Sequence, residues 1–184
     1  MATVQSISGI TLSVSPAYEA AATKEAVCPV SGISGHRVRQ VTLGNHIPVE
    51  HWRWVWDEGF HFCPASDCPV VYFNNAQRVY FTKAEVRTRV GIKETTAPIP
   101  VCYCMNVTAE RIQEEIQVKR CCDSLEDIKE YTKARTGKLC HVSNPAGKCC
   151  GKHVTAVVEK ALTHLGDKRL EEQAREICCQ IPED

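Results

Sequence analysis

The sequence predicts an α+β protein made of two small units, a β-rich one followed by a helical one. Three observations carry this. Runs of β-branched and aromatic residues, at 70–73 and 79–81, fall in the first half of the chain. Apolar residues at helical spacing fall in the second half, most clearly Val154, Val157, Val158, Ala161, Leu162 and Leu165. Between the halves lies TTAPIPV (95–101), whose two prolines read as a linker. With 184 residues, the chain has room for one ordinary domain or two small ones.

Taken in order, residues 1–25 are rich in Ser, Thr and Ala, and Pro16 interrupts them; a flexible leader is expected. Residues 26–95 form the first unit. In it, CPVSGISGHRV is turn-rich, and Trp52, Trp54 and Trp56 alternate with Arg53 and Val55, a pattern that predicts a strand, or a short element packed against the metal site. A Cys-x4-Cys turn (Cys63, Cys68) opens into the β run at 70–73, and Thr82-x-x-Glu85 has the form of a capping box. The second unit spans 101–166. Thr108 is placed to cap a helix carrying Ile112 and Ile116. Ser124-x-x-Asp127 opens a second helix with Leu125 and Ile128, which Gly137 is expected to stop. A third helix begins near Val154 and is expected to end at Gly166. Residues 167–184 read as a charged helical tail.

Lys plus Arg and Asp plus Glu number 22 each, so the formal charge is zero. That balance gives no electrostatic footprint for nucleic acid or an anionic membrane. No apolar run approaches the ~20 residues that cross a bilayer, and the N-terminus has no basic stretch before an apolar core. A cytoplasmic protein is expected, without membrane insertion. The outlier is cysteine, at 12 residues. Three pairs are adjacent: Cys121-Cys122, Cys149-Cys150 and Cys178-Cys179. Adjacent cysteines rarely bridge each other, and clustered thiols in a reducing compartment more often bind metal.

A [2Fe-2S] cluster usually takes four cysteine thiolates. A Cys-x-Cys loop can direct two sulfurs at one iron, with the others supplied by a second loop. Cys102-Tyr103-Cys104, a helical hairpin, then Cys140 and Cys149-Cys150 give that layout. Asn144-Pro145 and Gly147 suit a sharp turn in the second loop, whose amides are expected to point at sulfur. In the first unit, Cys63 and Cys68 offer two zinc ligands and Cys28 a third.

CYCMNVTAERIQEEI, a second helix and paired cysteines leading into a third helix resemble the bacterioferritin-associated-ferredoxin-like [2Fe-2S] domain. That domain separates its last two cysteines by two residues, whereas nine lie between Cys140 and Cys150 here. In that domain the apolar face of the last helix starts four residues after the last ligand. Counting from Cys150 reaches Val154, then Val157 and Val158; counting from Cys149 reaches His153, out of phase. The resemblance therefore favours Cys150 over Cys149 beside Cys102, Cys104 and Cys140.

FCPASDCPVVYF, VCYC and NPAGKCCGKHV, in that order, resemble the N-terminal domain of CopZ-type copper chaperones over roughly residues 27–162. The resemblance implies a [2Fe-2S] cluster and a mononuclear zinc. The family's first motif often reads Cys-Pro-x-Cys-Gly. Here the second cysteine is replaced by Ser31, which leaves the fourth zinc ligand open among Ser31, His36, His61, Asp67 and water. In that family copper rides on a separate heavy-metal domain with a Met-x-Cys-x-x-Cys loop. This chain has no such motif, and its methionines are Met1 and Met105. Either a separate copper-carrying protein supplies that domain, or this protein serves a different redox partner.

The expected function is one-electron transfer with a redox partner or reductase, tied to copper reduction or trafficking. A metal-stabilised scaffold, or a cluster-based sensor or storage protein, is the alternative. No nucleophile–base pair, phosphate loop or nucleotide fingerprint points to an enzyme. Cys121-Cys122 and Cys178-Cys179 fall outside these motifs. Each pair would bind copper(I), which favours thiolates, or exchange thiols, or serve as small apolar residues at helix ends.

Overall fold

The structure is a computed structural model of the chain and describes residues 4–7, 10–13, 26–55 and 59–178. It divides into two compact units, Met1–Thr95 with His141–Lys148, and Thr96–Cys140 with Cys149–Asp184. The sequence placed 141–148 wholly in the second unit; these residues pack with the first.

Within the first stretch, β1 (Val4–Ile7) and β2 (Ile10–Ser13) pair as an antiparallel hairpin where a flexible leader was expected. The rest of the predicted leader lies outside the described residues. The main sheet of the first unit has the antiparallel order β3 (His36–Arg37), β4 (His61–Phe62), β5 (Val70–Asn74), β6 (Val79–Thr82). Every residue of β5 is buried, so both faces of this strand are covered, and Val70–Phe73 run apolar without alternation before the buried Asn74. Phe62 pairs with Tyr72, and Tyr72 with Phe81. These rings join Leu43 and Ile47 in one core cluster. At the end of β6, Glu85 accepts from the Thr82 amide (2.8 Å) and hydroxyl (2.7 Å), the turn that the capping-box spacing predicts.

The tryptophan segment departs from expectation. After α1 (Gln40–His46) the chain forms a 3-10 helix, Val49–Trp54. Pro48 precedes it with φ −58°, the fixed angle that starts a helical turn. No strand alternation is buried here: Val49 is 67% and Trp52 37% exposed, while the adjacent Trp54 and Val55 both pack into the aromatic core of this unit rather than against the cysteines. Trp52 instead donates its indole N–H to Ile47 O at 3.1 Å, and the Arg53 guanidinium lies 5.0 Å from the Trp54 ring centre. Trp56 lies outside the described residues.

Residues 141–148 line this same unit. Thr42 donates its hydroxyl to His141 O (2.7 Å), Tyr72 its phenol to Pro145 O (2.7 Å), and Asn45 its amide to Val142 O (3.1 Å). Gly147, at φ 64°, brings its backbone so close to Thr42 that a Cβ would stand 3.1 Å from the threonine Oγ1.

The second unit opens with a two-stranded ribbon, β7 (Pro100–Cys102) and β8 (Val107–Thr108). The segment expected as a linker therefore runs into a strand. Thr108 caps α2 (Ala109–Gln113), accepting from the Arg111 amide. The helix then widens into a π-helical turn, Glu114–Val118. Ser124 and Asp127 form a full capping box at α3 (Leu125–Thr132). Lys133 ends α3 in the left-handed conformation at φ 60°; Gly137 does not.

A short α4 (Cys140–Ser143) precedes α5 (Gly151–Cys178). The latter runs through Gly166, which was expected to stop it. Gly166 lacks the positive φ of a helix-ending glycine, and the good helix formers after it continue the turn. Ile112, Ile116, Ile128, Val154, Val158, Ala161 and Leu165 close one core. Each of the three isoleucines is fully buried, a burial that stabilises by roughly 1.5–3 kcal/mol apiece. Among the described residues, no helix is long and apolar enough to cross a membrane.

Candidate metal centres

The first centre grows from three segments of the first unit. Residues 28–34 form a tight loop in which the Cys28 amide donates to Ile33 O and the Gly32 amide to Cys28 O, both at 2.9 Å. Gly32 takes φ 68°, a left-handed angle that glycine adopts without a Cβ clash. Val27 pairs with Ser34 across the base of the loop, and Asn75 Nδ2 fixes Val27 O at 2.8 Å. Cys63 follows β4, its amide bonded to Val71 O at 2.9 Å. The 65–68 turn is held from below by Lys93, only 4% exposed, whose ammonium donates to Ala65 O and, at 3.1 Å, to Cys68 O.

The result is a buried cluster in which the sulfurs of Cys28, Cys63 and Cys68 all lie within 4.8 Å of one another. Cys28 Sγ and Cys68 Sγ are 3.9 Å apart. Ser31 Oγ lies 3.4 Å from Cys63 Sγ. A hydrogen bond between Cys63 and Cys28 holds the Cys28 thiol low and pushes Cys63 up; burial pushes Cys68 up. Of the predicted fourth ligands, Ser31 alone stands with the thiols. His36 Nε2 is 2.8 Å from Ala146 O, His61 stacks on Phe73 with ring centres 5.5 Å apart, and Asp67 is exposed. None of these three joins the cluster.

The second centre belongs to the second unit. Cys102 ends β7, and Cys104 sits in the 3-10 turn Tyr103–Met105, which Asn106 closes at φ 52°. Their sulfurs are 3.8 Å apart. The segment after α3 wraps this turn with three left-handed residues, Lys133, Arg135 and Lys138. From it the Arg135 amide donates to Cys102 Sγ at 3.3 Å, and the Leu139 backbone hydrogen-bonds Cys104. The Met105 backbone adds a further bond to Cys102. Gly137 permits this wrap: a Cβ there would stand 3.0 Å from Cys104 Sγ and 2.9 Å from Met105 Sδ.

Cys150 precedes α5 and is buried, while Cys149 is exposed. The Cys150 thiol hydrogen-bonds Cys102, which lowers Cys102 and raises Cys150. Burial raises Cys104 to about 11. Cys140, half-buried at the start of α4, interacts electrostatically with both Cys104 and Cys150. Every cysteine whose side chain is described is a free thiol. Cys179 lies outside the described residues.

Sequence reasoning missed three contributors. Lys93 gives no signal, because a lone lysine followed by Glu94 and two threonines reads as surface. The amides on the second thiol set come from 133–139; the 144–147 turn expected to supply them belongs to the first unit. Gly137 was visible but read as a helix stop.

Residues 25–87 match a CopZ-type family described as a zinc binding domain. Over 127 residues, the chain is 39% identical to the copper chaperone CopZ of Archaeoglobus fulgidus, a match covering 69% of this chain and 59% of that protein. The chain thus spans somewhat over half the length of that relative. Among solved structures, it matches the X-ray structure of the Archaeoglobus fulgidus CopZ N-terminal domain with a TM-score of 0.62 at 39% identity, covering 71% of this chain and 96% of that one. The chain belongs to the family of the CopZ N-terminal domain.

Proposed function

We propose that this protein is a zinc-binding redox protein that exchanges single electrons through a [2Fe-2S] cluster in support of copper reduction or trafficking. Its metal-binding character and its place outside the enzymes follow from its family, whose relative is a copper chaperone. Zinc is assigned to Cys28, Cys63 and Cys68, with the Ser31 hydroxyl at the fourth corner. The cluster is assigned to Cys102, Cys104, Cys140 and Cys150. A reductase or other redox partner supplies the electron, and a separate copper-carrying protein takes the metal.

The observation that carries this reading is the convergence on Cys102. One neighbouring thiol lies 3.8 Å away, a second thiol hydrogen-bonds it, and a backbone amide donates to its sulfur at 3.3 Å. That donor set fits a thiolate-ligated cluster: it concentrates sulfur and surrounds it with N–H groups that stabilise negative charge there. When bound, the cluster supplies reversible one-electron exchange. The protein's own contribution is twofold. With the cluster bound, the backbone groups of 135 and 139 that hydrogen-bond Cys102 and Cys104 would stabilise the more reduced charge state and raise the potential. Burial of Cys102 and Cys150 against partial exposure of Cys104 and Cys140 leaves one side accessible to a partner.

Metal analysis and a visible spectrum of anaerobically purified protein test this. Two irons and one zinc per chain, with sulfur-to-iron charge-transfer bands that bleach reversibly on one-electron reduction, are expected. Zinc alone with no visible bands overturns the cluster assignment. A cluster that bleaches irreversibly overturns electron transfer.

A further inference from the structure

A third group of metal-ligating side chains lies in the second unit, apart from both centres. The π-helical turn at 114–118 re-aims the chain, and the Cys121 amide returns to Glu115 O at 3.1 Å. This brings a Glu115 carboxylate oxygen and the sulfurs of Cys121 and Cys122 within 4.8 Å of one another. The two sulfurs are 3.6 Å apart, and the Cys121 thiol donates to Glu115 Oε2 at 3.1 Å. Glu115 is 2% and Cys122 3% exposed, whereas Cys121 is reachable from solvent. π-Bulges within helices frequently mark functional sites.

A buried carboxylate beside a dithiol is an expensive choice for a core that otherwise uses Ile112, Ile116 and Ile128. Its charge is answered by Arg111 (2.6 Å) and Lys119 (3.0 Å). Both cations also reach Glu114, at 3.5 and 3.0 Å. Packing alone accounts for a small thiol at 122 but not for Glu115.

We propose that Cys121 and Cys122 form a third metal site, specific for a monovalent thiophilic ion, copper(I), with Glu115 as the acceptor that positions the Cys121 thiol. Two soft thiolates with no third sulfur or imidazole suit copper(I), whereas a structural zinc site wants four N, S or O ligands. Binding forms two sulfur–copper bonds and breaks two S–H bonds. Both protons are released to the buffer, and copper keeps its oxidation state. A bis-thiolate copper(I) unit carries one net negative charge, beside a carboxylate that Arg111 and Lys119 already pair. The site goes beyond the cluster and zinc assignments and does not depend on either.

The test uses the full chain, anaerobically, with copper(I) delivered as its bicinchoninate complex. The tryptic peptide 121–129, CCDSLEDIK, contains only these two cysteines, so alkylation followed by mass spectrometry reads this site alone. One equivalent of copper(I) should protect both thiols of that peptide, with iron and zinc contents unchanged. The Cys121→Ser/Cys122→Ser protein should bind one copper(I) fewer, and Glu115→Gln should weaken the site roughly 10- to 100-fold, as loss of a group orienting a ligand does. Three results overturn the proposal: an unprotected peptide while copper binds elsewhere, a peptide recovered as a disulfide, or equal protection by zinc. A protein isolated without iron, with peptide protection intact, would instead strike the cluster reading alone. Because the protection arm uses the unmodified protein, a variant that fails to fold leaves the proposal fully testable.

Discussion

Gly137→Ala is a steric test of the second thiol set. The added Cβ would meet Met105 Sδ at 2.9 Å and both Cβ and Sγ of Cys104 at 3.0 Å, where ordinary contacts lie at 3.4–4 Å. Three contacts are thus short by several tenths of an ångström. Two of them fall on a side chain assigned to the cluster. Gly137 has an ordinary negative φ, so the substitution carries no backbone strain, and any effect comes from crowding. Overpacking of this kind costs about 1–3 kcal/mol. If Cys104 takes up the displacement, the cost appears as weakened cluster retention of roughly 5- to 150-fold, since about 1.4 kcal/mol is tenfold. The assay is the rate of cluster loss to an iron chelator, followed by visible absorbance, with zinc content measured alongside. Gly166→Ala is the control: nothing lies within 4 Å of a Cβ there, and the change should stabilise α5 by roughly 0.5–1 kcal/mol without altering cluster loss. A Gly137→Ala protein that retains its cluster as long as the parent would refute the assignment of Cys104.

Four other outcomes are expected. Cys150→Ser should abolish the visible spectrum while Cys149→Ser preserves it; the reverse, read by iron per chain, moves the fourth ligand to Cys149. Ser31→Cys should slow zinc exchange to a chelator by at least tenfold, because a thiolate replaces a neutral hydroxyl beside Cys63; an unchanged rate removes Ser31 from the centre. Lys93→Met should destabilise the first unit by about 2–4 kcal/mol in urea unfolding, since Ala65 O and Cys68 O lose a charged donor in a buried turn. His46 is fully buried and burial holds it down at about 4, so the unfolded chain takes up its proton first. Stability is then complete above about pH 6.5, falls as pH drops toward 4, and the loss reaches about 3 kcal/mol. A His46→Gln protein should show a correspondingly shallower dependence on pH in urea unfolding, and an identical slope would remove His46 as the cause.

The legible features of the sequence were local ones. Ser124 with Asp127, Thr108 with Arg111, and Thr82 with Glu85 each act within one turn, so spacing alone finds them. The apolar stripe from Val154 to Leu165 was legible for the same reason. The rest depends on contacts distant in sequence. The tryptophan alternation looked like a strand, but Pro48 sets a helical turn, and the exposed Trp52 finds Ile47 O rather than a sheet neighbour. The 141–148 turn sits close in sequence to Cys140 and Cys150, and nothing local reveals that Thr42, Asn45 and Tyr72 bind its carbonyls. Glycine at 137 was ambiguous on its face: a missing Cβ serves a left-handed cap and a tight approach equally, and only the position of Cys104 separates them.

The two candidate centres differ in how they are held, and the difference bears on what each can do. Around Cys28, Cys63 and Cys68 all three thiols are buried, Lys93 grips the turn between two of them, and the hydroxyl of Ser31, the proposed fourth group, stands 3.4 Å from Cys63 Sγ. A centre so enclosed suits a structural brace, and its neutral fourth group is where exchange would start. Around Cys102 the burial is uneven. Cys102 and Cys150 lie inside the core of their unit, while Cys104 and Cys140 are only half-buried. Electron transfer needs such unevenness: an inner pair keeps water from the sulfurs, and an outer pair shortens the path to a partner. A mutation that buries the outer pair, for example a large apolar residue in place of Leu139, itself 56% exposed, should therefore slow reduction by a partner protein more than reduction by a small chemical reductant. Equal slowing by both would place the entry point elsewhere.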